Sequence, residues 1–293
     1  MSLLIIDGDV LAYNACKNKQ EWLRNHRGIS VMDFIALDDD GKQIDLEATK
    51  EEDAKYLEAC WNNFERLLSD LQECTFTTDY IMAVKGIGNY RSELYPEYKM
   101  NRHADPKKQN HFVPVLRKLA VHHGLAIEAH GREADDLIRI WAEECKAAGI
   151  DYIVCSIDKD LKCISGNHYL IHKNQMITMT EDASLRFYYE QLLKGDPTDN
   201  IPGIPRVGDV KAAKFLAECN TEAEFQEAVI NAYKVAYGDE WENYLLSNGK
   251  MIYLQKNMTD YFSIKEWSTV KTLRQIQPII SEEISTTHFK IPM

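Results

Sequence analysis

Leu3-Leu-Ile-Ile-Asp7-Gly8-Asp9-Val10 is the stretch on which the fold reading turns. Four apolar residues that stop at an acid and a glycine read as a buried strand feeding a turn, with a carboxylate at the strand's end. Tyr152–Ile157 repeats the design ahead of Asp158 and Asp160, and Tyr80–Val84 reads as a further strand. Between them lie helical patterns. Residues 51–74 set Leu57, Trp61, Phe64, Leu67, Leu68 and Leu71 on one side, 111–123 looks helical, and Glu133–Ala147 stops at Gly149. Leu125–Glu128 reads as extended, and Tyr169–Ile171 with Met176–Met179 flank Asn174-Gln175 as a hairpin. This alternation predicts an α/β domain with a mostly parallel sheet and helices on both faces. Ligands of such sheets bind at the carboxyl ends of the strands, where Asp7 and Asp158 fall.

Residues 18–50 are polar and irregular and read as a loop or small insertion. From 181 the pattern turns helical, over 181–194, 207–219, 222–237 and 239–255. The expected division is therefore 1–180 as the α/β domain and 181–256 as a helical region. The tail, 257–293, has no clear period and is left unassigned.

With 293 residues and 45% hydrophobic content the composition is that of a globular chain. No apolar run approaches a bilayer's thickness, and the short opening run lacks a basic flank, so an intracellular, cytoplasmic protein without a membrane is expected. Seven cysteines without a C-x-x-C pair predict free thiols and speak against a zinc site. The net charge of −12 argues against a nucleic-acid partner only on average. Lys85–Lys118 carries eight Lys and Arg against three acids, a candidate phosphate footprint, while Asp38–Glu58 carries nine acids against three lysines.

Eight carboxylates gather in four short clusters: Asp7; Glu133, Asp135 and Asp136; Asp158 and Asp160; Asp196 and Asp199. Each cluster alone has an ordinary explanation as a turn or a helix cap. Together they are costly unless cations neutralise them. An all-oxygen donor set suits Mg²⁺, with Mn²⁺ able to substitute. Two further strings stand out. Asn89-Tyr90-Arg91-Ser-Glu-Leu-Tyr-Pro-Glu-Tyr98-Lys99-Met-Asn-Arg102 spaces cations for phosphates and tyrosines for bases. Gly203-Ile-Pro-Arg206-Val-Gly208 opens a helix through Lys211, and its backbone N–H groups could hold a DNA phosphate. The histidines read as structural or exposed.

These strings, in this order over about 3–216, resemble the phage and bacterial 5′-nuclease family of flap endonucleases and 5′→3′ exonucleases, in style the short phage exonucleases. The resemblance implies a PIN-like α/β domain, a helical arch over about 99–124 and a helix–three-turn–helix element that grips duplex DNA. It places all eight carboxylates as metal ligands, with Asp135 and Asp136 in the catalytic set. Lys99 and Arg102 become the basic pair at the arch base. Arg91, Tyr98, Lys99, Arg102, Gly203, Arg206, Gly208 and Lys211 become substrate contacts. Two Mg²⁺ ions, K⁺ at the three-turn element, a DNA duplex with a 5′ end, flap or nick, and a monomer in the (host) cytoplasm complete the expectation.

Two departures from the family pattern are visible. Gly86 stands where an acid is expected about five residues before Arg91, with Lys85 beside the gap. Arg206 stands where the DNA-gripping turn usually has a glycine, and a positive φ there would strain it. The expected activity is Mg-dependent 5′→3′ exonuclease and flap cleavage by a two-metal route. A catalytically weak, junction-binding member and a haloacid-dehalogenase-type phosphatase, with Asp7 as nucleophile and Asp9 as acid, are the alternatives.

Overall fold

A computed structural model describes residues 2–29, 46–103 and 110–267. In chain order the strands and α-helices are β1 (Leu3–Asp7), α1 (Gly8–Ala15), α2 (Lys19–His26), α3 (Lys50–Thr75), β2 (Tyr80–Lys85), α4 (Tyr90–Leu94), α5 (Phe112–His122), β3 (Ile127–Ala129), α6 (Ala134–Ala148), β4 (Tyr152–Ser156), β5 (Gly166–Leu170), β6 (Gln175–Met179), α7 (Glu181–Lys194), α8 (Asp209–Phe215), α9 (Glu222–Tyr237) and α10 (Trp241–Ile252). They form two compact units. The first holds Met1–Asn89, Asp105–Leu161 and Gly166–Thr178; the second holds Tyr90–Ala104, Lys162–Ser165 and Met179–Met293.

The sheet order is β3-β2-β1-β4-β5-β6. The pairs β1–β2, β1–β4, β2–β3 and β4–β5 are all parallel. Leu4, Ile6, Met82, Val84, Ile153 and Cys155 face a core shared with α1, α3 and α5. Strand alternation turns Ile5 to the opposite face, where α6 packs on β1 and β2. A sheet buried on both faces explains why these strands read as unbroken apolar runs. Each fully buried Leu, Ile or Phe in that core contributes about 1.5–3 kcal/mol.

Helix ends follow local chemistry. Thr49 caps α3 by accepting from the Glu52 amide while Glu52 returns a bond to the Thr49 amide. Gly149 closes α6 in the left-handed conformation, φ 66°.

The expected elements recur with modest shifts, and four points differ. The irregular stretch 18–50 contains the helix α2, whose Leu23 is wholly buried, while 30–45 lie outside the described residues. Residues 257–267 of the unassigned tail are packed: Phe262, Ile264 and Trp267 join Tyr189, Phe225 and Leu245 in the core of the second unit, and 268–293 lie outside the described residues. Where the sequence suggests a single cut at 180, the chain passes between units several times, and Tyr90–Ala104 and Lys162–Ser165 group with the helical unit. The arch expected over 99–124 meets α5, whose Phe112, Val113 and Leu116 are core residues, so the arch cannot extend through 112–122; 104–109 lie outside the described residues.

Seven free cysteines are present, six of them buried. Among the described residues no helix is long and apolar enough to cross a membrane.

Candidate active site

In the first unit, the parallel strands deliver their following residues to one edge of the sheet. Asp7 ends β1 and is 6% exposed. Ser156, the last residue of the neighbouring β4, donates from Oγ to Asp7 Oδ2 at 2.7 Å and accepts the Asp158 amide at 2.9 Å. Asp158 Oδ1 accepts the Asp160 amide at 2.8 Å. On the other side, Asp9 Oδ1 accepts the Lys85 amide at 3.0 Å and lies 2.7 Å from Arg117 Nε. Burial, then the neighbouring Asp9 charge, push the Asp7 carboxyl up to about 7; Asp158 adds to the rise, and the Ser156 and Val10 hydrogen bonds oppose it.

The loop from β3 into α6 emerges at the same edge and carries Glu133, Asp135 and Asp136. Asp136 is wholly buried, and its Oδ2 accepts the Glu133 amide at 3.0 Å, capping the helix. Glu133 and Asp135 are half-exposed. Asn89 Nδ2, just past β2, donates to Glu133 Oε1 at 3.0 Å.

The donor set at this edge fits a hard divalent cation. It is all oxygen, and a carboxylate pushed up by burial and then by its acidic neighbours is the group a cation would relieve. Among the described residues, no three His, Cys, Asp or Glu side chains are drawn tightly enough together to cage an ion. Ser156 engages Asp7, and backbone amides engage Asp158 and Asp136.

In the second unit, Asp196 and Asp199 bracket a short 3₁₀ turn and are 3% and 4% exposed. Asp196 Oδ1 accepts the Thr198 amide at 2.8 Å. Lys99, with φ 57°, donates its amide to the Asp199 carbonyl at 3.0 Å and sets Nζ 3.4 Å from Asp199 Oδ2. Tyr98 is buried against Ile201 and Met251 with Lys99 Nζ 4.9 Å from its ring centroid, so its face is closed to base stacking, against expectation. Arg91 is also not a surface phosphate ligand. It is wholly buried, and it donates to the Met251 carbonyl at 2.9 Å and the Tyr253 carbonyl at 2.6 Å at the end of α10. Arg102 sits on a 3₁₀ turn, Met100–His103, and its side chain lies outside the described residues.

Further along this unit, the Gly203–Gly208 turn leads into α8 with Gly208 as its N-terminal flank. Gly203 and Gly195 cross so closely that a Cβ on Gly203 would lie 2.3 Å from Gly195 N. Arg206 and Lys211 are exposed.

Residues 2–190 match the family model described as the 5′-3′ exonuclease N-terminal resolvase-like domain. The chain belongs to this family. Among curated relatives, DNA polymerase I of Rhizobium leguminosarum is 33% identical over 139 residues, covering 44% of this chain and 14% of that protein. A 5′-3′ exonuclease of Buchnera aphidicola is 33% identical over 138 residues, covering 44% and 48%. The chain thus spans less than half the length of either relative. Among solved structures, the phage T5 5′-exonuclease with bound zinc aligns with a TM-score of 0.55 at 13% identity, covering 86% of each chain. The T5 flap endonuclease in complex with DNA and metal ions aligns at 0.50 and 12%, covering 86% of this chain and 99% of that one. At such identities the likeness is one of fold, the parallel sheet flanked by helices. Family membership sets aside the haloacid-dehalogenase alternative.

Both departures from the family pattern now have a physical form. Gly86 is not a vacant ligand position: a Cβ there would lie 2.3 Å from the Ala129 carbonyl oxygen, so no acid fits without moving the backbone. Arg206 does take a left-handed φ of 63°, the strained outcome. Sequence reasoning missed Ser156, Asn89 and Arg117 and left Asp9 out of the metal set. Ser156 had a signal, since it lies two residues before Asp158, one strand period away. Arg117 had none, because its partner is set by how α5 packs on α1.

Proposed function

We propose that this family member is a divalent-metal-dependent 5′→3′ exodeoxyribonuclease and flap endonuclease that hydrolyses DNA phosphodiester bonds as a monomer in the cytoplasm. One observation carries the reading: a buried Asp7 at a strand end, crowded by Asp9 and Asp158, on a chain whose family model is described as a 5′-3′ exonuclease. Support for a metal and for DNA comes from the T5 proteins of similar fold, whose structures carry metal ions, in one case with DNA.

Asp7, Glu133, Asp135 and Asp136 would hold a first Mg²⁺, directly or through water, and Asp158, Asp160, Asp196 and Asp199 a second. The assignment of Asp196 and Asp199 rests on motif order. When bound, such ions supply Lewis acidity and neutralise charge on the attacking and leaving oxygens. The chain's own groups do the rest. Ser156 fixes the Asp7 carboxylate and the Asp158 backbone at once. Asn89 orients Glu133. Lys99 and Arg102 would offset the charge that develops on the scissile phosphate, an effect worth on the order of 10²–10³-fold in rate for one such group. Gly203, Arg206, Gly208 and Lys211 would hold a duplex backbone through amides and cations, with K⁺ at the turn as a further ligand.

The test is cleavage of a 5′-labelled flap and a nicked duplex in Mg²⁺. Short 5′ products are expected, lost in EDTA and in Asp135→Ala. Undiminished cleavage in either condition sinks the metal route.

A further inference from the structure

We infer that Tyr237 is a positioning residue for the duplex-gripping turn; this rests on the DNA-acting reading above. Tyr237 is the last residue of α9, and its hydroxyl donates to the Gly203 carbonyl oxygen at 2.8 Å, across 34 positions of sequence. Its ring lies flat on Tyr244 of α10, 3.9 Å between centroids and 11° between planes, and 5.8 Å from Tyr233. Two aromatic neighbours on packed helices hold that ring, so the hydroxyl is a fixed point and not a mobile tip. Burial pushes the phenol pKa up, which keeps the group a neutral donor at neutral pH.

The turn needs such a fixed point. Gly203 and Arg206 both take left-handed φ values, 61° and 63°. Such a conformation at a non-glycine residue persists only where surrounding contacts over-determine it. One side of the turn is tied by the Ile204 amide, which donates to the Leu193 carbonyl at 2.8 Å, and by the close crossing of Gly203 with Gly195. Tyr237 supplies the tie on the carbonyl side. By drawing the Gly203 carbonyl toward α9 it sets the peptide plane that begins the turn, and through it the direction of the amides and of Arg206 that would meet a phosphate. The hydroxyl itself bonds the Gly203 carbonyl and reaches Asp196 only by way of the Gly203–Gly195 crossing, so its loss should weaken the grip on duplex before it disturbs the bond-breaking step.

Tyr237→Phe retains both ring contacts and removes only the donor. Its affinity for nicked duplex, measured in Ca²⁺, and its KM and kcat in Mg²⁺ are compared with wild type, alongside a single-stranded substrate and the melting temperature. We expect duplex Kd and KM to rise about fivefold, the size of one hydrogen bond, with kcat and single-strand cleavage unchanged. Unchanged duplex Kd and KM overturn the inference. So does an equal loss on single-stranded substrate, or a fall in kcat with KM constant, because either means the hydroxyl supports the fold at large. Wild-type protein that binds duplex but does not cleave it would end the nuclease reading and leave the Kd comparison to decide this one.

Discussion

Ser156 Oγ lies 2.7 Å from Asp7 Oδ2 and at the same time receives the Asp158 amide at 2.9 Å. One hydroxyl therefore couples two carboxylates that stand at the ends of adjacent strands. Its bond to Asp7 is among the contacts that hold the Asp7 carboxyl down against burial. Ser156→Ala should raise the Asp7 pKa further. The acidic limb of the kcat/KM profile in Mg²⁺ is expected to move to higher pH, with activity recovering toward pH 9. A limb at the wild-type position would show that Ser156 does not tune Asp7.

Asp7 also predicts a pH dependence of stability. Between its ordinary value of 3.8 and about 7 the folded protein holds a proton that the unfolded chain has lost. Folded-state stability due to this group is thus fully present below the ordinary value and lost as pH rises through 7. Asp7→Asn removes the effect, so the melting temperature of wild type minus that of Asp7→Asn, both in EDTA, should fall from pH 5 to pH 8. Added Mg²⁺ competes with that proton, and its stabilisation of wild type should be larger at pH 8 than at pH 5. A difference that stays flat with pH counts against the buried carboxylate.

Gly86 is a packing position, not a lost ligand. Gly86→Asp is expected to destabilise by about 1–3 kcal/mol, the usual cost of forcing atoms into a filled site, and to bring no gain in cleavage. Urea unfolding and a flap assay on the same variant give both answers. A gain in rate without a loss in stability would mean the backbone at Ala129 yields.

Arg91 and Lys211 should separate cleanly. Arg91→Ala exposes the end of α10 to the loss of charge-assisted bonds, each about 1.5–3 kcal/mol, and a large drop in melting temperature is expected. Arg91→Lys should not restore it, since a single ammonium cannot span the Met251 and Tyr253 carbonyls as the guanidinium fork does. Lys211→Ala should leave stability alone and reduce the slope of log Kd for duplex against log salt by about 0.9. Salt slopes that fall for Arg91→Lys and hold for Lys211→Ala would reverse these roles.

Much of this molecule was legible in its residues. The unbroken apolar runs before Asp7 and Asp158 fixed two central parallel strands and put both acids at their carboxyl ends. Glu133 to Gly149 announced a helix by period, cap and stop. These signals are local: they depend on a residue's own preference and on neighbours a few positions away. Tertiary packing decided the rest. Arg91 reads as a phosphate ligand until carbonyls some 160 positions away close over it. Gly86 reads as a missing acid until the Ala129 carbonyl is found against it. Residues 257–267 show no period because they form neither helix nor strand, yet Phe262, Ile264 and Trp267 enter the core of the second unit. A sequence sets what each residue can do at short range; which distant group it meets is chosen only when the whole core closes, and that choice separates the structural cations and glycines from the functional ones.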